Sequence, residues 1–284
     1  MIHTIGLAIA FSPTAEHMLA EADRLALQFK ARLVLIHVGE HGPKEEQLMQ
    51  SLLTSRNISR DLITVRWETG EAAHAILKAC DGEKVDLLLA GALKKENLLH
   101  YYLGTIARHI MRRANCSVLL LTNPMIEPKG IKNIVVDAGE SLHVEESISL
   151  ACQFGKKEKG SWIHIVRELK MYGLAMSASD QSSEDEYENI RHGMVREEIE
   201  KVEILLKKIQ HDDLKINIKV VAGKSGFELA QFARRKQADL LVVSAPPRRF
   251  KFFDRLFTHD LEYVFADLPC DLLIVQPGKE DNHG

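Results

Sequence analysis

The sequence predicts an α/β protein built twice from one doubly wound unit, and three observations carry that prediction. Short apolar runs alternate with helical periods along the 284 residues. One composite stretch occurs twice. The first copy, Val85 to Leu121, reads V-D-L-L-L-A-G, a basic loop, G-T-I-A-R-H-I-M-R-R-A-N and C-S-V-L-L-L. The second, from Ala238, reads A-D-L-L-V-V-S, a more basic loop, F-T-H-D-L-E-Y-V-F-A-D-L-P and C-D-L-L-I-V. Between the halves lies N-P-M-I-E-P-K-G, residues 123–130, with two prolines, a glycine and no period, which reads as a linker. Apolar runs bounded by polar loops and alternating with helices are buried parallel strands joined by crossover helices.

Residues Thr4 to Ala10 form the first strand. Ser12-Pro13 predicts a helix N-cap with proline at the first helical position. Met18, Ala22, Leu25 and Phe29 then make one apolar stripe. Arg32 to Val38 is strand two, Pro43 to about Ser55 a helix, Leu62 to Glu68 strand three, and Glu71 to Ala79 a helix. The repeated stretch supplies strand four, helix four and strand five. Strand–helix alternation predicts a parallel sheet with helices on both faces. After the linker the pattern restarts, with Asn133 to Asp137 as a strand, Leu142 to Phe154 as a helix and Ser161 to Glu168 as a strand.

Matching letters between the halves pairs Ala10 with Asp137 and His37 with His164 at an offset of 127. Gly70 pairs with Gly223, Asp86 with Asp239 and Gly91 with Ser244 at 153. The change of offset places an insertion of 153 − 127 = 26 residues between strands two and three, at about 169–193. Its S-A-S-D-Q-S-S-E-D-E predicts a mobile loop that is either plain and solvated or a lid. The domains are thus expected at 1–123 and 131–277.

Composition narrows the function classes. A formal charge of −3 argues against a broad nucleic-acid-binding face, and no apolar run reaches membrane-span length. The start I-G-L-A-I-A-F has no preceding basic residues and reads as a strand, not a signal peptide. Cys80, Cys116, Cys152 and Cys270 show no C-x-x-C spacing, which suits a reducing cytoplasm. His259-Asp260 gives two ligands and no metal site. No nucleophile and base stand in suggestive spacing, and no metal ligation is expected.

The combined pattern resembles the universal stress protein family in its tandem form. The residues that carry the resemblance are A-I-A-F-S-P (8–13), I-H-V (36–38), T-G (69–70), V-D-L-L-L-A-G (85–91) and A-N-C-S-V-L-L-L (114–121). In the second half they are I-V-V-D-A-G (134–139), I-H-I (163–165), A-G (222–223), A-D-L-L-V-V-S (238–244) and P-C-D-L-L-I-V (269–275). The resemblance implies two Rossmann-like domains of the adenine nucleotide alpha hydrolase-like type. Each holds a five-stranded parallel sheet of order 3-2-1-4-5, and the two pack as a pseudo-dimer through their fifth strands.

It also implies a stress-response binding or signalling protein of the cytoplasm, not an enzyme. Some members of the family bind ATP between strands one and four. The family's glycine loop corresponds here to Gly91-x2-Lys94-x9-Gly104-Thr105. The resemblance therefore points to Val38, Gly91, Lys94, Gly104 and Thr105 as contacts for ATP or another adenine nucleotide. Ala10 and Phe11 stand where the family has aspartate and glycine; Phe11 either stacks on a base or fills the pocket. In the second half the resemblance points to Asp137, Arg248 and Thr258. Its loop reads Ser244-x2-Pro247-x9-Phe257-Thr258, without the three glycines. Arg248, Arg249, Lys251 and Arg255 make that loop basic, either plainly solvated or a dock for an anion or acidic partner. The other reading open at this point is an interaction protein with closed pockets, independent of nucleotide. A homodimer and an unidentified protein partner are also expected; a slow ATP hydrolase ranks last.

Overall fold

The computed structural model describes residues 2–56, 58, 63–94, 101–139, 141–169, 184–222, 225–246 and 259–277. The chain divides into two compact units. One comprises residues 1–130 with the C-terminal strand, and the other begins at Ile131.

In the first unit β1 (Thr4–Ala8), β2 (Arg32–Val38), β3 (Ile63–Glu68), β4 (Leu87–Gly91) and β7 (Ser117–Leu121) pair in parallel, in the order β3-β2-β1-β4-β7. This is the predicted 3-2-1-4-5 order. Between β4 and β7 a short antiparallel pair, β5 (Leu93–Lys94) and β6 (Tyr101–Tyr102), interrupts the loop. The helices are α1 (Ala15–Phe29), α2 (Pro43–Ser55), α3 (Ala72–Gly82) and α4 (Thr105–Arg113). Right-handed crossovers place α1 and α2 on one face and α3 and α4 on the other, because chain progression reverses after β3. Contacts of α1 with α2 and of α3 with α4 fit that arrangement. The central strands are apolar on both faces: Ile5, Leu7, Leu87, Leu88, Leu89, Val118 and Leu120 have no measurable exposure.

The C-terminal strand β12 (Asp271–Val275) runs antiparallel to β7 in this unit, with Leu272 opposite Leu120 and Ile274 opposite Val118. The Asp271 carboxylate fixes the register by accepting from both the backbone N and the hydroxyl of Thr122 at 2.8 Å.

The second unit contains β8 (Asn133–Asp137), α5 (Val144–Lys157), β9 (Trp162–Leu169), α6 (Glu184–Leu206), β10 (Lys215–Ala222), α7 (Ser225–Arg235), β11 (Leu240–Ser244) and α8 (His259–Ala266). Its parallel strands run β10-β9-β8-β11, repeating order 3-2-1-4.

Backbone hydrogen bonding corrects the letter-matched repeat. Ile5 pairs with Leu87 as Ile134 pairs with Leu240, so strand one repeats at 134 − 5 = 129. Leu33 faces Ile5 as Ile163 faces Ile134, so strand two repeats at 163 − 33 = 130. Strands three and four keep 153, and the insertion is 153 − 130 = 23 residues. Asp137 therefore corresponds to Ala8, not Ala10, and His37 to Arg167, not His164. The turns agree: Ser12 N bonds Ala10 O, and Ser141 N bonds Gly139 O, both at 2.8 Å.

One carboxylate anchors the start of strand one in each unit. Asp86 accepts from the backbone N of His3 and Thr4 at 2.7 and 3.0 Å. Asp239 accepts from Lys132 and Asn133, both at 2.8 Å.

Three local expectations change. The helix after β1 begins at Ala15 with Thr14 as N-cap, because Ser12 and Pro13 are used in the turn that closes on Ala10 O. Helix α3 begins at Ala72, since the Glu71 carboxylate is its cap, accepting from Ala73 N and His74 N at 3.1 and 2.8 Å. The expected loop at 169–193 is helical from Glu184 onward. Acidic residues suit the positive end of a helix. Gly193 points to open space, so it weakens α6 without disrupting packing. Residues 170–183 of the insertion lie outside the described residues.

Candidate functional site

In an open α/β sheet the ligand crevice lies beyond the strand ends where the winding reverses, here between β1 and β4. The sequence-predicted residues of the first unit all belong to this edge. Gly91 ends β4, Lys94 lies in β5, Gly104 caps α4, Thr105 begins it, and Val38 ends β2. Gly91, Lys94 and Thr105 are exposed, Val38 is half-buried and Gly104 is buried.

The chain's own side chains line this edge closely. A Cβ on Gly91 would lie 3.7 Å from the Met18 sulfur, in ordinary contact. A Cβ on Gly104 would come within 2.5 Å of Leu93 Cδ1. Of the two, Gly104 has a packing reason to be small, and Gly91 has room for a Cβ. The loop expected to cradle phosphate is partly the β5–β6 hairpin, with Leu93 facing Tyr102 and Lys94 facing Tyr101. Backbone groups engaged in such a ladder are not free to bind an anion. Residues 95–100 lie outside the described residues. The first N–H groups of a helix have no partner within it, and at the start of α4 Arg108 Nε reaches back to the Leu103 carbonyl at 3.2 Å.

Beyond β1 the crevice holds an aromatic cluster. Phe11 packs on His37 with ring centroids 4.5 Å apart, and His37 meets Trp67 edge-on at 5.4 Å. His41 stacks on Trp67 at 4.4 Å and bonds Glu46 at 2.8 Å. The buried His37 ring donates from Nδ1 to the Ile9 carbonyl at 3.0 Å. Phe11 thus packs on rings carried by β2 and β3. A cleft of about 580 Å³ adjoins the cluster at Trp67 and is otherwise lined by Met49 and Leu53 of α2 and Ile63 and Val65 of β3.

In the second unit the Asp137 carboxylate bonds the backbone N of Gly139 at 3.0 Å, within its own turn. Ser244, the counterpart of Gly91, is buried and bonds Ser147 Oγ at 2.8 Å and the His143 carbonyl at 3.2 Å. Ser147 is the counterpart of Met18, so a Met–Gly pair in one unit is a Ser–Ser pair in the other. Arg248 and Thr258 lie outside the described residues.

The remaining sequence candidates are structural in their contacts. His164 stacks on Trp162, meets Phe232 edge-on and accepts from Asn217 Nδ2 at 3.2 Å. Burial, aided by Lys236, lowers its pKa. Cys116 is buried beside Cys80, whose thiol pKa is pushed up by its bond to Cys116 and by burial. Such thiols are poor nucleophiles. Cys270 is half-exposed. Sequence reading did not single out Leu93, Arg167 or Glu198. The residues around Leu93, G-A-L-K-K, carry no alternation that would flag it.

Among the described residues no helix is long and apolar enough to cross a membrane. Comparison with known proteins bears on the family. Residues 1–122 match the universal stress protein family model. The chain is 29% identical over 136 residues to a universal stress protein of Thermus aquaticus from the QAH/OAS sulfhydrylase 3′ region, covering 43% of this chain and 99% of that one. It is similar in structure to a functionally unknown protein of Pseudomonas aeruginosa PAO1, with TM-score 0.71 and 16% identity over 97% and 93% of the two chains. It is also similar to a universal stress protein of Archaeoglobus fulgidus DSM 4304, with TM-score 0.64 and 12% identity over 97% and 98%. At those identities the structures speak to the fold alone, and the family model makes residues 1–122 a universal stress protein domain.

Proposed function

We propose that this chain is a non-catalytic stress-response binding protein of the cytoplasm, acting on a protein partner through its surface and not through a bound nucleotide. The observation that supports this reading is the Phe11–His37 stack with its bond to the Ile9 carbonyl, which fills the end of β1. Ala8 and Ala10 leave that turn without a carboxylate to orient a ribose. Losing one charged hydrogen bond costs on the order of 1.5–3 kcal/mol, about ten- to a hundredfold in affinity.

A second reading, weak adenine-nucleotide binding in the first unit, is favoured by the exposed start of α4 at Thr105 and by the nearby Lys94. A helix N-terminus contributes about 0.3–1 kcal/mol to an exposed anion. That is less than the missing carboxylate removes, so the nucleotide-independent reading leads. Titration calorimetry with ATP and AMP, and mass spectrometry of nucleotide released from the denatured protein, decide between them. No released nucleotide and no binding tighter than millimolar are expected. A co-purifying nucleotide, or micromolar binding lost in Gly104→Phe, establishes the second reading instead.

A further inference from the structure

The two units share a contact at the end of strand two. His37 follows Ile36, which faces Ala8; Arg167 follows Val166, which faces Asp137. His37 donates to the carbonyl of Ile9, and Arg167 Nη1 donates to the carbonyl of Ala138, the counterpart of Ile9. In both units a side chain from strand two reaches over and occupies the first carbonyl after strand one.

The second unit builds more around this contact. Arg167 Nη1 also donates to the Gly139 carbonyl at 3.2 Å, and its Nε to the Glu198 carboxylate of α6. Lys201 holds the other Glu198 oxygen at 2.7 Å and reaches Glu197 at 2.9 Å. The Arg167 and Glu198 side chains are only 14% and 16% exposed. A cavity of about 390 Å³ opens against the same guanidinium, bordered by Gly139, Ser141, Val144, Lys201 and Ile204. Each partner of Arg167 named here is an acceptor, and the acceptors converge from two segments, the turn after β8 and α6. That set suits a planar cation with several donors in a fixed fork, which a guanidinium is and an ammonium is not.

We propose that the end of β8 is an acceptor-lined guanidinium site whose ligand is the chain's own Arg167, clamped by Glu198 so that α6 straps this crevice shut. The site stands independently of whether the first unit takes a nucleotide. It makes the strand-one turn of the second unit a self-filled site, and small guanidinium compounds the class of molecule that replaces the missing side chain.

Hydrogen exchange of the full chain tests this, read over α6 and residues 138–146. In Arg167→Ala both segments are expected to exchange about tenfold faster or more, with the first unit unchanged. Millimolar ethylguanidinium then restores protection, whereas ethylammonium at the same ionic strength does not. Glu198→Gln keeps the shape and loses the charge, so it accelerates exchange at the same place by less. Should Arg167→Ala fail to fold, Arg167→Lys, which keeps charge but not the fork, carries the same expectation. Unchanged exchange in the variants, or equal effects of the two additives, overturns the proposal.

Discussion

Leu93 lies directly against Gly104: a Cβ on the glycine would fall 2.5 Å from Leu93 Cδ1. The contact covers the start of α4 with an apolar group, at the point where helix N–H groups would meet an anion. Leu93 is half exposed, so its side chain can move. Leu93→Ala should therefore uncover the helix start and strengthen ATP binding by about twofold to fivefold, the worth of roughly 0.3–1 kcal/mol. Gly104→Phe, which copies Phe257, should abolish any binding there. Calorimetry on both variants checks this; weaker binding in Leu93→Ala would show that the leucine supports a ligand and does not exclude one.

Ser147 and Ser244 form a buried hydroxyl pair where the first unit has Met18 and Gly91. Ser244 donates to the His143 carbonyl, which leaves its oxygen to accept from Ser147. Ser244→Ala removes that acceptor inside the core and should cost about 1–2 kcal/mol. Ser147→Ala should cost a similar amount and the double variant less than the two together, because one bond is lost in all three. Urea unfolding measures the cycle. Strict additivity would mean that the hydroxyls do not depend on each other.

His164 gives the second unit a pH dependence of definite sign. Its pKa is lowered by burial first and by Lys236 second, from the ordinary value of 6.5. Asn217 also donates to Nδ1, which only the neutral ring accepts. The unfolded chain thus takes up a proton before the folded one does. Stability contributed here is full above about pH 6.5 and declines as pH falls below it, toward the lowered folded value. His164→Gln should flatten that decline in thermal unfolding between pH 7 and the mildly acidic range. An unchanged slope would remove His164 as its source.

Much of the fold was legible because its signals are local. The runs Val85–Gly91 and Ser117–Leu121 are apolar at every inward position, and Pro43 marks the start of α2. What failed was the equivalence of the halves. Matching the letters of His37 and His164 ignored the longer turn after α5 and shifted strand two by three residues, which concealed Arg167 as the counterpart of His37. Letter matching sets Asp137 of V-D-A-G against Ala10, yet its hydrogen-bonding equivalent is Ala8. The site was less legible than the fold because it depends on which side chain reaches across. Met18 on Gly91, Leu93 on Gly104 and Glu198 on Arg167 join residues distant in sequence, and no period records those meetings.

The clamp on Arg167 should be acid-labile in a narrow window. Burial alone would raise the Glu198 pKa, but bonds from Lys201 and Arg167 outweigh it and hold the carboxyl below its ordinary 4.5. A carboxyl with a lowered folded pKa contributes stability that is present above the unfolded value and lost as pH falls through the folded one. Between neutral pH and about 4.5 the attachment of α6 should therefore not weaken through Glu198, and below that it should loosen. Lys201 also pairs with Glu197 at 2.9 Å, so it has a second carboxylate partner beside Glu198. Circular dichroism at the helix band should show an acid step in wild type that is absent from Glu198→Gln, which has already lost the charge. Lys201→Met should move the step to higher pH, since one of the two cations holding the carboxylate is gone. A step of the same size and midpoint in all three proteins would place the acid lability elsewhere in the unit and leave Glu198 as an ordinary surface pair.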